Sequence, residues 1–201
     1  MKKLFLLTTV IFISVSGWAQ SCPDNNHPHS IDLGLPSGTK WSCCNVGASK
    51  PEEYGEYYAF GETEEREIYD AKSKKGVVFS FTEHTVVLRY DVAYVKWNKS
   101  WRTPSPEQMK EFLDNCTSEW TVLNGVNGKR FKGKNGNSVF LPAGGVIMRL
   151  SNQSEGKIGH YWSNKEIDDN NAYYLFFYEG GGGQHHGVKA HGRTIRPVKF
   201  N

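Results

Sequence analysis

The sequence predicts an α+β domain in which short antiparallel strands outnumber helices. Two observations carry that prediction. Strand-length apolar stretches are punctuated by Asn124-Gly125, Asn127-Gly128 and Asn135-Gly136, and Asn-Gly is the dipeptide that tolerates the positive φ of tight hairpins. Aromatic residues are spread along the whole chain at 13%, a density that suits half-buried pleated strands, whereas long helical patterns are nearly absent.

The elements follow in order. Residues 39–46, 56–60, 77–81, 86–90, 119–123, 129–132, 138–141 and 146–150 read as strands. Residues 62–75 are rich in charge and read as a surface excursion. One helix carries complete signals in SPEQMKEFLDNC. Ser105 is its N-cap, Pro106 stands at N1 and Gln108 at N3 closes a capping box. Glu107 favours the positive end of the helix dipole. Met109, Phe112, Leu113 and Cys116 recur at helical spacing, so one face is buried and Cys116 points inward. A shorter helix is predicted over residues 91–97. Residues 171–178, NAYYLFFY, are apolar on both faces and read as a central strand. The last strand is predicted at 193–198, with Pro197 near its end, where a missing N–H is tolerated. Residues 179–192 then form a long, flexible hairpin tip.

The N-terminus reads as an address. Lys2 and Lys3 precede an apolar run over residues 4–15, and Gly17-Trp18-Ala19 supplies a small-x-small cleavage pattern. Residues 1–19 are therefore expected to be a secretory signal peptide. The run is shorter than the roughly 20 apolar residues of a membrane span, so a chain integral to a membrane is not expected. Lipidation of Cys22 is the alternative, although Ala19-Gln20-Ser21 is a poor lipobox. The expected product is secreted or held at the cell surface. Residues 20–30 read as a flexible lead-in and residues 31–201 as one domain. Removing Lys2 and Lys3 from the 24 basic residues leaves 22 against 21 acidic ones, a net charge of about +1. No Lys/Arg block remains that could track phosphates, which argues against nucleic acid as a partner.

The four cysteines are Cys22, Cys43, Cys44 and Cys116, and an exported chain permits disulfides. No CxxC pair exists, so the spacing of a zinc ribbon or thioredoxin-type site is absent. On a strand Cys43 and Cys44 would point to opposite faces and could not serve one site together. Neither a metal nor a cofactor is expected.

The order of motifs resembles the Fibrobacter succinogenes major paralogous domain family, plentiful in exported proteins of gut Bacteroidetes. The matching pieces are IDLGLPSGTKWSCCNVGA, PEEYGEYYAFGET, DVAYVKWNKSWRTPSPEQMKEFL, NGVNGKRFKGKNGNSVFLPAGG, GHYWSN and GRTIRPV. Together they span nearly all of residues 31–201. Where the family usually has Gly-Gly before Trp-Arg, Asn98-Lys99-Ser100 stand here. Where it usually has one Cys, this chain has Cys43-Cys44. The resemblance implies a C-type-lectin-like fold, distantly shared with formylglycine-generating enzymes: twisted antiparallel strands, about two helices and long loops. Cys44, in a family-matching motif, and Cys116, which is expected to point inward, are the disulfide candidates.

Function follows from what is present and what is missing. The calcium motifs of sugar-binding lectins, Glu-Pro-Asn or Gln-Pro-Asp with Trp-Asn-Asp, do not occur, and Lys99 after Trp97-Asn98 would repel a cation. No G-x-S-x-G stands in the chain. Arg102 and Arg196, inside motif cores, read as structural guanidiniums whose five donors satisfy backbone carbonyls. In GGGGQHHGVKAHG, a phosphate cradle would need a following helix, and a strand follows instead. The expectation is a non-catalytic exported binding or adhesion module for a glycan or protein ligand. The residues expected to meet it are Glu179, Gln184, His185, His186 and His191. A degenerate relative of the formylglycine-generating enzymes, or a structural component of a surface assembly, is the alternative.

Overall fold

A computed structural model describes residues 26–70 and 84–199. The expected signal peptide, Cys22 and the strand expected at 77–81 lie outside the described residues. The described chain is a compact α+β domain with two α-helices and several antiparallel sheets. β1 (Ser30–Asp32), β2 (Lys40–Ser42), β3 (Trp101–Arg102) and β12 (Val198–Lys199) form one sheet in the order β1-β2-β12-β3. The end of the chain is thus inserted beside its beginning. β4 (Thr117–Leu123), β5 (Val126–Lys132) and β6 (Ser138–Pro142) form a meander, and β7 (Val146–Met148) pairs with β8 (Ser151–Gln153). A second meander holds β9 (Ile158–Glu166), β10 (Asn171–Tyr178) and β11 (Gly181–Val188), with β10 central.

The helices form where their caps are written. α1 (Val92–Lys96) begins where the Asp91 carboxylate accepts from the Ala93 N–H. The same carboxylate takes the N–H and hydroxyl of Thr103, which pins α1 to β3. α2 (Pro106–Asn115) has the full capping box: Ser105 Oγ accepts from Gln108 N at 3.2 Å, and Gln108 Oε1 accepts from Ser105 N at 2.9 Å. Met109 and Phe112 are buried, and Leu113 and Cys116 pack partly buried against the same core. Phe112 stacks on Trp41 at 4.2 Å between ring centres and meets Phe131 at 4.6 Å, and Phe131 meets Phe177 at 5.7 Å. One aromatic chain therefore links three sheets through α2.

The hairpin signals hold in part. Asn124 and Gly125 have φ of 47° and 85° and join β4 to β5 as a two-residue turn. Asn127-Gly128 is no turn. It lies inside β5, where a Cβ on Gly128 would meet the Leu141 carbonyl and the Phe140 ring. Three expected strands change. Residues 86–90 end in a 3₁₀ turn, Leu88–Tyr90. Residues 56–60 contribute a single bridge, Tyr58 to Arg193. The last strand shrinks to Val198–Lys199, because Arg193 and Thr194 make isolated bridges to Tyr58 and Tyr161 instead.

Two cysteine expectations are corrected. Cys116 carries a free thiol, so the bond to Cys44 is not made. Burial raises that thiol to about 11, which keeps it protonated and unreactive near neutral pH. Cys43 and Cys44 do not continue a strand. The chain bends as β2 ends, and the Ser42 hydroxyl bonds the Cys44 carbonyl at 2.8 Å. Pleat alternation no longer applies, and the two sulphurs lie on one side of the corner, near His27.

That corner is held from the core. Arg196 is fully buried. Its Nε donates to Asn45 Oδ1 at 2.7 Å, and its terminal nitrogens donate to the carbonyls of Ser42 at 3.1 Å and Phe140 at 2.9 Å. One side chain joins the corner after β2 to β6. Arg102 acts nearer the surface, bonding the Lys99 and Trp101 carbonyls, both at 2.7 Å, and lying over the Tyr94 ring.

Ser105→Ala should lower stability by about 1 kcal/mol, as loss of an N-cap does, read from denaturant midpoints at unchanged m-value. Arg196→Met should cost at least about 3 kcal/mol by the same measurement, because it leaves three buried acceptors without a donor.

Candidate binding face

The structure replaces the expected flexible tip with a strand. Residues 181–188 pair along their whole length with β10, and the connection is the two-residue turn Glu179-Gly180. β10 alternates accordingly. Leu175 and Phe177 enter the core; on the other side of the strand Tyr174 packs half-buried against a core cluster that includes Trp162, Phe176 is half-buried and Tyr178 is exposed. A register shift between Ala172 and Tyr174 sets this phase.

The partners on either side make that face open. Across β11, Tyr178 stands opposite Gly181, Phe176 opposite Gly183 and Tyr174 opposite His185. Across β9 the same residues stand opposite Ile158, His160 and Trp162. With glycine opposite, no β11 side chain rises directly across from the Phe176 and Tyr178 rings. The centres of these rings lie 6.4 Å apart at an interplanar angle of 12°, so the platform of this face is a near-parallel, stacked pair of rings. His185 closes its upper end, 6.2 Å from Phe176 and 5.9 Å from Tyr174.

Close approach explains why glycines are used. A Cβ on Gly187 would lie 2.7 Å from an Arg193 terminal nitrogen and 3.0 Å from the Tyr174 ring. A Cβ on Gly182 would lie 2.8 Å from the Phe176 carbonyl. The glycine run is thus an edge strand pressed against its neighbour, and it forms neither a phosphate loop nor a loose tip.

Arg193 anchors the platform. Its guanidinium lies 4.1 Å from the Trp162 ring centre and 4.3 Å from that of Tyr174, and one nitrogen donates to the Val188 carbonyl at 3.2 Å. Stacking between two rings suits a planar, weakly hydrated cation. Burial pushes it down to about 10, so it stays charged at neutral pH. Next to it, burial and then the positive charge of Arg193 push the His160 imidazole down to about 4. Its Nδ1 is buried without a hydrogen-bond partner, which fits a neutral ring.

The residues expected to meet a ligand do not converge. Only His185 lies on the aromatic face. Glu179 is exposed in the turn at the Tyr178 end. Gln184 points the other way, and its amide donates to the Pro106 carbonyl at the start of α2. His186 is exposed at the sheet edge, its ring stacked on that of His185 at 5.1 Å between ring centres. His191 is half-buried beyond β11, its pKa lowered by burial and by Arg193. The sequence reading missed Tyr174, Phe176, Tyr178 and Arg193. The i, i+2, i+4 aromatic spacing in YYLFFY was a visible signal, but the glycines opposite were not.

No family model, curated protein or solved structure matches this chain. Among the described residues, no helix is long and apolar enough to cross a membrane.

His160 binds its proton more weakly folded than unfolded, so the unfolded state gains protons first on acidification. Stability should be full above about pH 6.5 and fall by up to about 3 kcal/mol as pH drops towards 4. His191 adds in the same direction. Denaturant unfolding at pH 7 and pH 4.5 measures this, and His160→Gln should flatten the dependence.

Proposed function

We propose that this chain is a non-catalytic, exported binding or adhesion module of the C-type-lectin-like kind, and that its ligand is a glycan held against the β9–β11 aromatic face. The near-parallel Phe176 and Tyr178 rings, with glycines opposite them on β11, carry this reading. A sugar ring presents one apolar C–H face, and an exposed aromatic ring removes that face from water without needing to form hydrogen bonds to it. The sugar's hydroxyls then need polar partners at the rim. The Tyr178 hydroxyl, Glu179 and His185 supply acceptors and donors there. The platform is rigid because the other side of β10 is core, so little ordering entropy opposes binding. Signals for export at residues 1–19 and the resemblance to the Fibrobacter succinogenes major paralogous domain family support the same reading. So does the absence of a net charge or basic tract suited to nucleic acid.

A glycan array probed with the purified protein should give a defined set of positive saccharides. Tyr178→Ala and Phe176→Ala should each weaken binding to them by about three- to tenfold, the size of one aromatic contact. Gln184→Ala, on the other side of β11, should leave affinity within about twofold. A silent array beside a pull-down that depends on Tyr178 would redirect the reading to a protein ligand. Binding indifferent to both ring deletions in folded protein would remove this face from the site.

A further inference from the structure

We propose that His27, Cys43 and Cys44 form a binding site for a zinc-class metal ion, which staples the segment before β1 to the corner after β2. Among the described residues, this is the one group of three His, Cys, Asp or Glu side chains whose ligand atoms converge, all lying within 4.8 Å of one another. Tetrahedral zinc, with Zn–S of about 2.3 Å and Zn–N of about 2.0 Å, places its ligand atoms roughly 3.5–3.8 Å apart. The preformed cluster thus needs only a small adjustment around an ion, the wider separations closing and the His27–Cys43 pair opening.

The surroundings favour metal over a packed pair of thiols. Both sulphurs are fully buried, and His27 Nδ1 lies 3.0 Å from Cys43 Sγ. The His29 N–H donates to the same sulphur at 3.0 Å. A backbone N–H aimed at a sulphur is the kind of outer support that orients and stabilises a ligating thiolate. The His29 ring is also near, its Nδ1 3.9 Å from Cys43 Sγ. Charge also balances: a divalent ion with two thiolates and a neutral imidazole is uncharged overall, as a buried site requires. Two sulphurs and an imidazole select zinc-class ions over calcium or magnesium, which take oxygen. A bond between the neighbours themselves is disfavoured, because adjacent Cα atoms lie about 3.8 Å apart, short of the roughly 4.4–6.8 Å that disulfides span.

The site also has a mechanical consequence. β1 is only three residues long, Ser30–Asp32, and is the edge of its sheet. An ion joining His27 to the Cys43–Cys44 corner would hold the chain on the N-terminal side of that strand, as structural zinc does in small domains.

The test uses the purified protein in reducing buffer, titrated with Zn²⁺ against a chromogenic chelator and, separately, with Co²⁺. The expected result is one equivalent of metal per chain, with Co²⁺ giving sulphur-to-metal charge transfer and tetrahedral visible bands. Cys43→Ser and Cys44→Ser should each diminish the charge-transfer band, while Cys116→Ser leaves it intact. If the serine variants fail to fold, His27→Ala keeps the proposal falsifiable. It removes a half-buried ligand outside the core and should weaken Zn²⁺ by at least the roughly tenfold that losing even an outer-shell partner costs. Folded protein that takes up no Zn²⁺ would overturn the proposal. So would unchanged affinity in His27→Ala, or peptide mapping that finds Cys43 or Cys44 joined in a disulfide in protein isolated without reductant.

Discussion

The rest of the fold depends on one buried cation. Arg196 sits at zero exposure and spends its donors on three carbonyl oxygens, those of the Asn45 side chain, Ser42 and Phe140. Burying a guanidinium is costly unless its donors are matched. Two acceptors lie on the corner after β2 and the third on β6, while the arginine comes from the last stretch of chain, so the match exists only when all three segments are in place. The insertion of β12 between β2 and β3 follows from the same arrangement. The corner that Arg196 holds is also the corner that turns Cys43 and Cys44 towards His27. A core electrostatic constraint therefore sets the geometry of a site at the domain's edge.

Three residues earlier, Arg193 solves the same problem differently. Its charge is spread between the Trp162 and Tyr174 rings, with one carbonyl bond. A guanidinium that stacks needs fewer hydrogen bonds than one surrounded by backbone, and a planar cation alone can do this. The pair explains why the short segment Gly192–Val198 is so thoroughly buried although it is mostly not a strand. Its role is to bring two cations to two different kinds of partner.

β10 divides the domain into a packed side and a presented side. Phe177 and Leu175 continue the aromatic core that runs through Phe131 and Phe112 to Trp41. On the alternate positions Phe176 and Tyr178 stand opposite glycines, while Tyr174 stands opposite His185 and packs beside Trp162. Presentation and packing use the same strand, so the outer rings are held by the core's rigidity. This coupling of a stiff scaffold to an exposed aromatic surface is what recognition of a weakly polar ligand requires.

The sequence by itself determined what is local. Ser105, Pro106 and Gln108 wrote the start of α2, Asp91 began α1, and Asn124-Gly125 made its turn, because each depends on bonds within a few residues. The α+β class followed from those signals. Tertiary structure decided what depends on neighbours from elsewhere in the chain. Gly128 looked like turn punctuation but lies inside β5, against Leu141 and Phe140. The stretch 181–188 looked like a loose tip but is a strand, because β10 supplied its ladder. Of the five residues expected to meet a ligand, His185 reaches the Tyr174 and Phe176 rings with His186 stacked on it, while strand alternation turns Gln184 away to the start of α2. Cys43 and Cys44 were expected on opposite faces, as any two adjacent residues on a strand would be. They converge because the chain bends where β2 ends, at a corner held by an arginine more than a hundred and fifty residues later, and no local pattern encodes a bond of that span.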